Sequence, residues 1–129
     1  MPVTYTIDTK ERLIRTRCTG MVTFAEVVEH FRELARDPEC AERLDVSLDL
    51  SEVNSLPDAS QIRAVSLELK NIQRNVRFGA CAIVASRDAL FGMLRMFEVM
   101  VQDYFRAIRV FRASAEAEAW LVSQRQQSA

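Results

Sequence analysis

Alternating apolar and polar side chains predict the strands of this chain. Val3, Tyr5 and Ile7 alternate with threonine and aspartate, a period of two that is typical of a half-buried strand. Residues 76–85 are apolar at almost every position, which favours a central strand buried on both faces. The five predicted strands cover residues 3–8, 13–19, 44–50, 76–85 and 108–111.

Apolar residues at helical spacing predict four helices between and after these strands. The first begins at Thr23, where the spacing of Thr23 and Glu26 matches a capping box, and it ends before Pro38. The third is long and continues to about Phe105. The second, third and fourth helices are expected to be capped by Asp58 or Ser60, by Ser86 and by Ser114, respectively.

The order of elements is therefore β-β-α-β-α-β-α-β-α, which predicts an α/β fold with a mostly parallel five-stranded sheet and an antiparallel first strand. Crossovers of one hand between successive strands place their helices mainly on one face. We therefore expect Asp45, Ser47 and Asp49 to be exposed on the open face. One domain over residues 1–123 is predicted, followed by a polar C-terminal tail at 124–129.

Composition and charge narrow the class of protein. The chain has 129 residues, of which 49% are hydrophobic and 27% charged, and a formal net charge of −1 with both signs interspersed. Such a surface predicts a soluble protein that neither binds nucleic acid nor inserts stably into a membrane. Three glycines exclude a glycine-rich phosphate loop, and three widely spaced cysteines indicate a reduced, cytoplasmic protein without a metal or cofactor site.

Candidate catalytic groups are few. His30 is the only histidine and falls at the edge of the polar face of the first helix, so a solvated or half-buried structural role is expected. Asp45 and Asp49 share one strand face but lie roughly 13 Å apart, too far for a carboxylate dyad. No nucleophile turn accompanies them. The sequence therefore predicts a protein that is not an enzyme.

The third helix is apolar over a wider arc than one packed face requires. Three interpretations stay open: a central helix packed between two others, a surface for a protein partner, or the wall of an apolar ligand pocket. The residues expected at such an interface or ligand surface are Phe91, Arg95, Val99, Met96 and Met100. Because exposed apolar surface usually marks an interface, a homodimer formed through Phe91, Arg95 or Val99 is predicted.

Several segments resemble a known family. The element order resembles the STAS domain of anti-anti-sigma factors, and more closely the small bacterial SpoIIAA-like proteins, which are related to the lipid-binding SEC14 type. The segments that carry the resemblance are Thr-Gly-Met-Val-Thr at 19–23, Leu-Asp-Leu-Ser at 48–51, Ala-Ile-Val at 82–84 and Met-Leu-Arg-Met-Phe-Glu at 93–98.

The resemblance implies a non-enzymatic regulatory module that acts through protein–protein contact, with a kinase or regulator as the partner. In anti-anti-sigma factors an Asp-Ser-Ser-Gly turn carries the phosphorylated serine, and Ser60 matches that position, although the first serine and the glycine are replaced. The phosphoacceptor or partner loop would comprise Ser60, Asp58, Ser55 and Asn54. The alternative function is a carrier of a small apolar or lipid-like ligand. An enclosed apolar cavity beneath the third helix would favour the carrier, and a flat exposed patch a protein partner.

Overall fold

The computed structural model describes residues 2–40, 43–74 and 76–127, and in it five strands form one sheet in chain order. The strands are β1 (Val3–Asp8), β2 (Leu13–Gly20), β3 (Asp45–Val53), β4 (Phe78–Val84) and β5 (Phe105–Phe111). β1 pairs antiparallel with β2, and the other neighbouring pairs are parallel. The predicted α/β class and the mostly parallel sheet are confirmed.

Within these described ranges four α-helices accompany the sheet: α1 (Phe24–Arg36), α2 (Ala59–Ile72), α3 (Asp88–Val101) and α4 (Ser114–Gln127). Thr23 and Glu26 form the predicted capping box of α1. Asp58 rather than Ser60 caps α2, because its carboxylate accepts the Gln61 backbone N–H at 2.9 Å and the Gln61 side chain returns to the Asp58 N–H. α4 continues past residue 123, through the first residues of the predicted tail.

The bounds of α3 and β5 differ from the prediction. Arg87, not Ser86, precedes α3 and makes no side-chain cap, and a 3-10 turn over Gln102–Tyr104 separates the helix from β5. β5 begins at Phe105, whose ring stacks on that of the paired residue Phe78 at 5.7 Å. The apolar spacing up to Phe105 is compatible with a helix as well as with a strand. The pairing of Phe105 with Phe78 explains why the helix ends before the predicted position.

Three helices cover one face of the sheet and the fourth covers the other. α1, α2 and α3 connect successive parallel strands, and same-handed crossovers between strands in sequential order lie on one side. α4 follows the last strand and connects no pair of strands, so the handedness of crossovers does not fix its side of the sheet. Its residues Ala117 and Leu121 pack against Ala80 and Ala82 of β4. β4 is consequently buried at every position, as its sequence predicts.

The expected exposure of the polar face of β3 was wrong. Asp45 and Ser47 are both only 8% exposed. Asp45 Oδ1 accepts the Ala80 backbone N–H at 2.8 Å, and Ser47 lies in the groove beside Ala117 of α4. Asp49 is half-buried. These polar residues are buried because α4 covers this face of the sheet. The alternation in β3 predicts instead that the face is exposed to solvent.

Candidate functional site

An apolar cavity of about 310 Å³ lies between the sheet and the three helices α1, α2 and α3. Sixteen of its twenty lining residues are apolar. The helices contribute Val27 and Phe31 of α1, Ile62 and Val65 of α2, and Leu90, Leu94 and Phe97 of α3. Clefts of this size and composition are typical of small-molecule sites.

The sheet forms the opposite wall of this cavity near the carboxyl ends of its strands. Cys18 of β2 and Leu48 and Leu50 of β3 line it. Leu48 and Leu50 point towards the helices and yet stay half-buried, whereas Val46 on the same face of β3 is only 2% exposed. The helices therefore pack closely over the start of β3 and leave space over its end.

His30 is the buried polar residue of the cavity wall. It is 5% exposed, and its Nε2 lies 3.1 Å from the hydroxyl of Thr16 on β2. Its ring contacts those of Tyr5 and Phe31 at centroid distances of 5.4 and 5.2 Å. Burial lowers the pKa of the imidazole to about 4, so the ring is uncharged at neutral pH. The expected solvated or half-buried histidine is therefore fully buried, because the β1–β2 hairpin covers that side of α1.

Two loops at the carboxyl edge of the sheet form the mouth of the cavity. The Ser55 hydroxyl joins them: it accepts the Val22 backbone N–H at 3.0 Å and donates to the Val22 carbonyl at 3.1 Å. Arg87 donates from Nη1 to the carbonyls of Val53 and Ser55 at 2.7 and 3.2 Å. These bonds hold the mouth in a defined shape.

Apolar side chains are exposed around the mouth. Leu56 and Phe24 line the cavity and are 50% and 36% exposed. Met21, next to the lining residue Val22, is 70% exposed. We call these three residues the apolar rim. Their exposure gives an apolar molecule or a partner a contact surface at the entrance.

The predicted partner loop lies beside the mouth. Ser55 lines the cavity, whereas Asn54, Asp58 and Ser60 are exposed around it. The Ser60 hydroxyl donates to Asp58 Oδ1 at 2.8 Å. The hydrogen bond from the Gln61 backbone N–H lowers the pKa of the Asp58 carboxyl. A carboxylate thus already occupies the start of α2 beside the candidate phosphoacceptor.

The predicted surface of α3 does not line the cavity. Phe91 is covered by the Arg112 guanidinium, 4.3 Å from its ring centroid, and Arg95 pairs with Glu98 at 3.3 Å. Met96 and Met100 are half-buried against the core. Val99 is 62% exposed. The apolar arc of α3 is thus wide largely because it packs within the protein, and its members Leu90, Leu94 and Phe97 line the cavity.

Sequence reasoning missed the contribution of α1 and of His30 to this site. A signal was present in β2, where Thr16 interrupts the apolar positions Ile14 and Cys18 on one strand face. A polar residue in such a position needs a buried partner. His30 on the next element is the residue that supplies it.

A second cleft of the described residues has a mainly polar and charged lining. A cleft of about 600 Å³ lies where the parallel strands begin, and exposed charged side chains such as Lys10, Arg43, Arg77 and Asp103 line it. Among residues 2–40, 43–74 and 76–127 no group of three or more His, Cys, Asp or Glu side chains could hold a metal ion. The apolar cavity is the stronger candidate site for an apolar ligand because apolar side chains make up most of its lining, whereas charged and polar side chains make up most of the lining of the cleft.

Comparisons with known proteins found no match, either among protein-family models or among curated proteins. In the described part of the chain, every helix is too short or too polar to cross a membrane. Function therefore has to be inferred from the geometry of the site itself.

Proposed function

We propose that this protein binds a small apolar molecule in the cavity between α1, α2, α3 and the sheet, and acts as its non-enzymatic carrier. The observation that carries the proposal is the cavity of about 310 Å³ with sixteen apolar residues among its twenty lining residues. Transfer of an apolar molecule from water into such a cavity is favourable because it removes apolar surface from water.

The volume of the cavity limits the size of the ligand. A water molecule takes up roughly 30 Å³ of liquid, so about 310 Å³ has room for on the order of ten non-hydrogen atoms. That suits one short chain or one small ring system and is too small for a lipid with two acyl chains. The carrier proposed here therefore differs in ligand size from a carrier of whole phospholipids.

The family resemblance supports the same proposal. The β-β-α-β-α-β-α-β-α order of elements resembles that of STAS-like and SpoIIAA-like proteins. The SpoIIAA-like proteins are in turn related to the lipid-binding SEC14 type. We propose that this chain is a member of that group with a smaller pocket. Fold-level likeness supports the assignment by analogy, whereas the cavity supports ligand binding by physical argument.

Protein–protein contact is the second candidate function, and the apolar rim favours it. Met21 and Leu56 expose 70% and 50% of their surface next to the exposed loop that holds Asn54 and Ser60. A regulator docked there would cover the mouth. Met21 belongs to the apolar rim but does not line the cavity, so Met21→Glu should abolish capture of such a partner from a lysate and leave ligand binding in the cavity unchanged.

Thermal unfolding with naphthalene tests the carrier proposal, because naphthalene is apolar and has about the size that the cavity admits. A ligand that binds only the folded state raises the midpoint temperature of unfolding. We expect this increase for the wild-type chain and not for Val65→Phe, which places a ring in the cavity. Leu48→Phe provides an independent cavity variant.

The matched control is Val122→Phe on α4, where Val122 is 48% exposed and away from the cavity. This variant should respond to naphthalene like the wild-type chain. An absent shift in the wild-type chain, or equal shifts in the wild-type chain and both folded cavity variants, would overturn the proposal.

A further inference from the structure

We infer that the cavity selects an uncharged ligand with a single hydroxyl or carbonyl group, which hydrogen-bonds the second ring nitrogen of His30. This inference rests on the proposed function, since it names the class of ligand that the cavity would hold. In this arrangement the polar end of the bound ligand points towards His30, and its apolar body lies among the leucine, valine and phenylalanine side chains.

The hydrogen bonding of His30 is incomplete. Nε2 pairs with the Thr16 hydroxyl at 3.1 Å, and within the described ranges Nδ1 has no hydrogen-bond partner. A polar atom in the wall of an apolar cavity pairs either with water or with a polar group of a bound ligand. Because His30 lines the cavity, a ligand there can supply the missing partner.

The other polar lining residues already use their oxygen atoms. Thr23 Oγ1 accepts the Glu26 backbone N–H at 3.2 Å and donates to the Glu26 carboxylate at 2.9 Å. The Ser55 hydroxyl both accepts from and donates to the backbone of Val22. Gln61 Oε1 accepts the Asp58 backbone N–H at 2.9 Å. These groups stabilise the helix starts and the mouth, and His30 is the buried residue among the four polar residues of the lining.

The cavity also disfavours a charged ligand. No charged side chain of the described residues lines it, and an ionised group without a counter-charge loses its hydration in an apolar site. Burial lowers the pKa of His30 to about 4, so the imidazole supplies no positive charge near pH 7. A carboxylate would therefore bind poorly.

Either a hydroxyl or a carbonyl group can satisfy His30. The Thr16 hydroxyl can donate to Nε2 or accept from it, so the ring can present Nδ1 as a donor or as an acceptor. A ligand carbonyl accepts from the donor form, and a ligand hydroxyl can pair with either form. The site thus specifies one neutral polar group without fixing whether it donates or accepts.

Three probes that share the naphthalene ring system and differ in one substituent test this inference: naphthalene, 2-naphthol and 2-naphthoate. Their binding is measured by calorimetric titration at pH 7. A hydrogen bond from a neutral group contributes about 0.5–1.5 kcal/mol, which corresponds to a preference of roughly two- to twelvefold. We expect the wild-type chain to bind 2-naphthol more tightly than naphthalene by about this factor, and 2-naphthoate much more weakly than either.

His30→Phe should remove the preference for 2-naphthol, so that the ratio of the affinities for 2-naphthol and naphthalene falls to about one, whatever the absolute affinity for naphthalene. His30→Gln, whose amide can still pair with a hydroxyl group, should retain part of the preference. His30→Leu is the second variant without a polar atom and replaces His30→Phe if melting shows that His30→Phe does not fold.

The outcomes separate this inference from the proposed function. If naphthalene and 2-naphthol both fail to bind the wild-type chain, the carrier proposal fails. If naphthalene binds but 2-naphthol has no advantage, or keeps its advantage in folded His30→Phe or His30→Leu, the role of His30 is refuted and the carrier proposal stands.

Discussion

The hydroxyl of Thr16 on β2 and the Nε2 of His30 on α1 lie 3.1 Å apart in the interior of the protein. Both residues are almost completely buried, at 2% and 5% exposure. Each is the polar exception on an element that otherwise presents apolar side chains to the core. The hydrogen bond between them therefore offsets the free-energy cost of burying each polar group without a partner.

Thr16→Val should destabilise the protein by about 1–3 kcal/mol, because it leaves Nε2 of His30 buried without a partner at nearly constant volume. Urea denaturation measures the change. In a His30→Leu background the same substitution should cost almost nothing, since no polar partner is left behind. Equal costs of Thr16→Val in both backgrounds would show that the two side chains are not coupled.

Stability should fall as the pH decreases from about 6.5 to about 4. The pKa of His30 is about 4 in the folded protein, below the ordinary value of 6.5 that applies to the unfolded chain. The unfolded chain therefore binds more protons in this range, and the stabilisation present above pH 6.5 is lost on acidification. The expected loss from His30 is about 3 kcal/mol, since each pKa unit corresponds to about 1.4 kcal/mol.

The difference between the wild-type chain and His30→Leu isolates this contribution from that of the carboxyl groups. Tyr5, which contacts the His30 ring, does not titrate in this range, because its ordinary pKa of 10.0 lies far above it and burial raises the pKa further, to about 12. Urea melts at several pH values should show a weaker dependence for His30→Leu between pH 6.5 and 4. Parallel curves for the two proteins would contradict the buried, neutral histidine.

Two glycines should respond in opposite directions to replacement by alanine. A Cβ at Gly79 would collide with Asp45 Oδ1 and with the Arg43 carbonyl oxygen, so Gly79→Ala should destabilise the protein by about 1–3 kcal/mol. Gly92 lies on the exposed side of α3 with open space around it, so Gly92→Ala should stabilise by about 0.5–1 kcal/mol. Thermal melts that rank the two variants the other way would contradict this packing.

The association predicted through α3 should depend on Val99. Phe91, Met96 and Met100 are at least half-buried within the monomer, whereas Val99 is 62% exposed. We expect sedimentation to show a dimer that Val99→Asp dissociates without unfolding the chain. Val122→Asp, at a comparably exposed valine on α4, is the matched control and should leave the dimer intact. A wild-type monomer at tens of micromolar would exclude this interface.

Local patterns predicted most elements of the fold but not the contacts between distant ones. The capping box at Thr23 and the alternation in β1 involve neighbours in sequence, and both are present as predicted. Asp45 was expected in solvent because the alternation of β3 does not reveal that α4 covers its polar face. The start of β5 at Phe105 depends on pairing with Phe78, which no local pattern contains.

The cavity could not be predicted from the sequence, because empty space depends on how three helices and a sheet pack together. The side chains of Val65 and Leu94 look like ordinary core residues in the sequence, and both are in fact buried. What distinguishes them is the space between them, to which no single residue type corresponds. The sequence did predict an interface or ligand surface on α3. It assigned that surface to residues such as Phe91 and Val99, whereas the residues of α3 that line the cavity include Leu94.

The sequential order of the sheet has a consequence for how the chain folds during synthesis. Because β2, β3, β4 and β5 each pair with the strand made just before them, every strand that leaves the ribosome finds its neighbour already available. No early edge has to wait for a strand encoded much later. The newest strand is therefore the edge that accepts the next strand, while β1 remains the other edge of the sheet throughout. Premature pairing with other nascent chains is restricted to these two edges before α4 closes the second face.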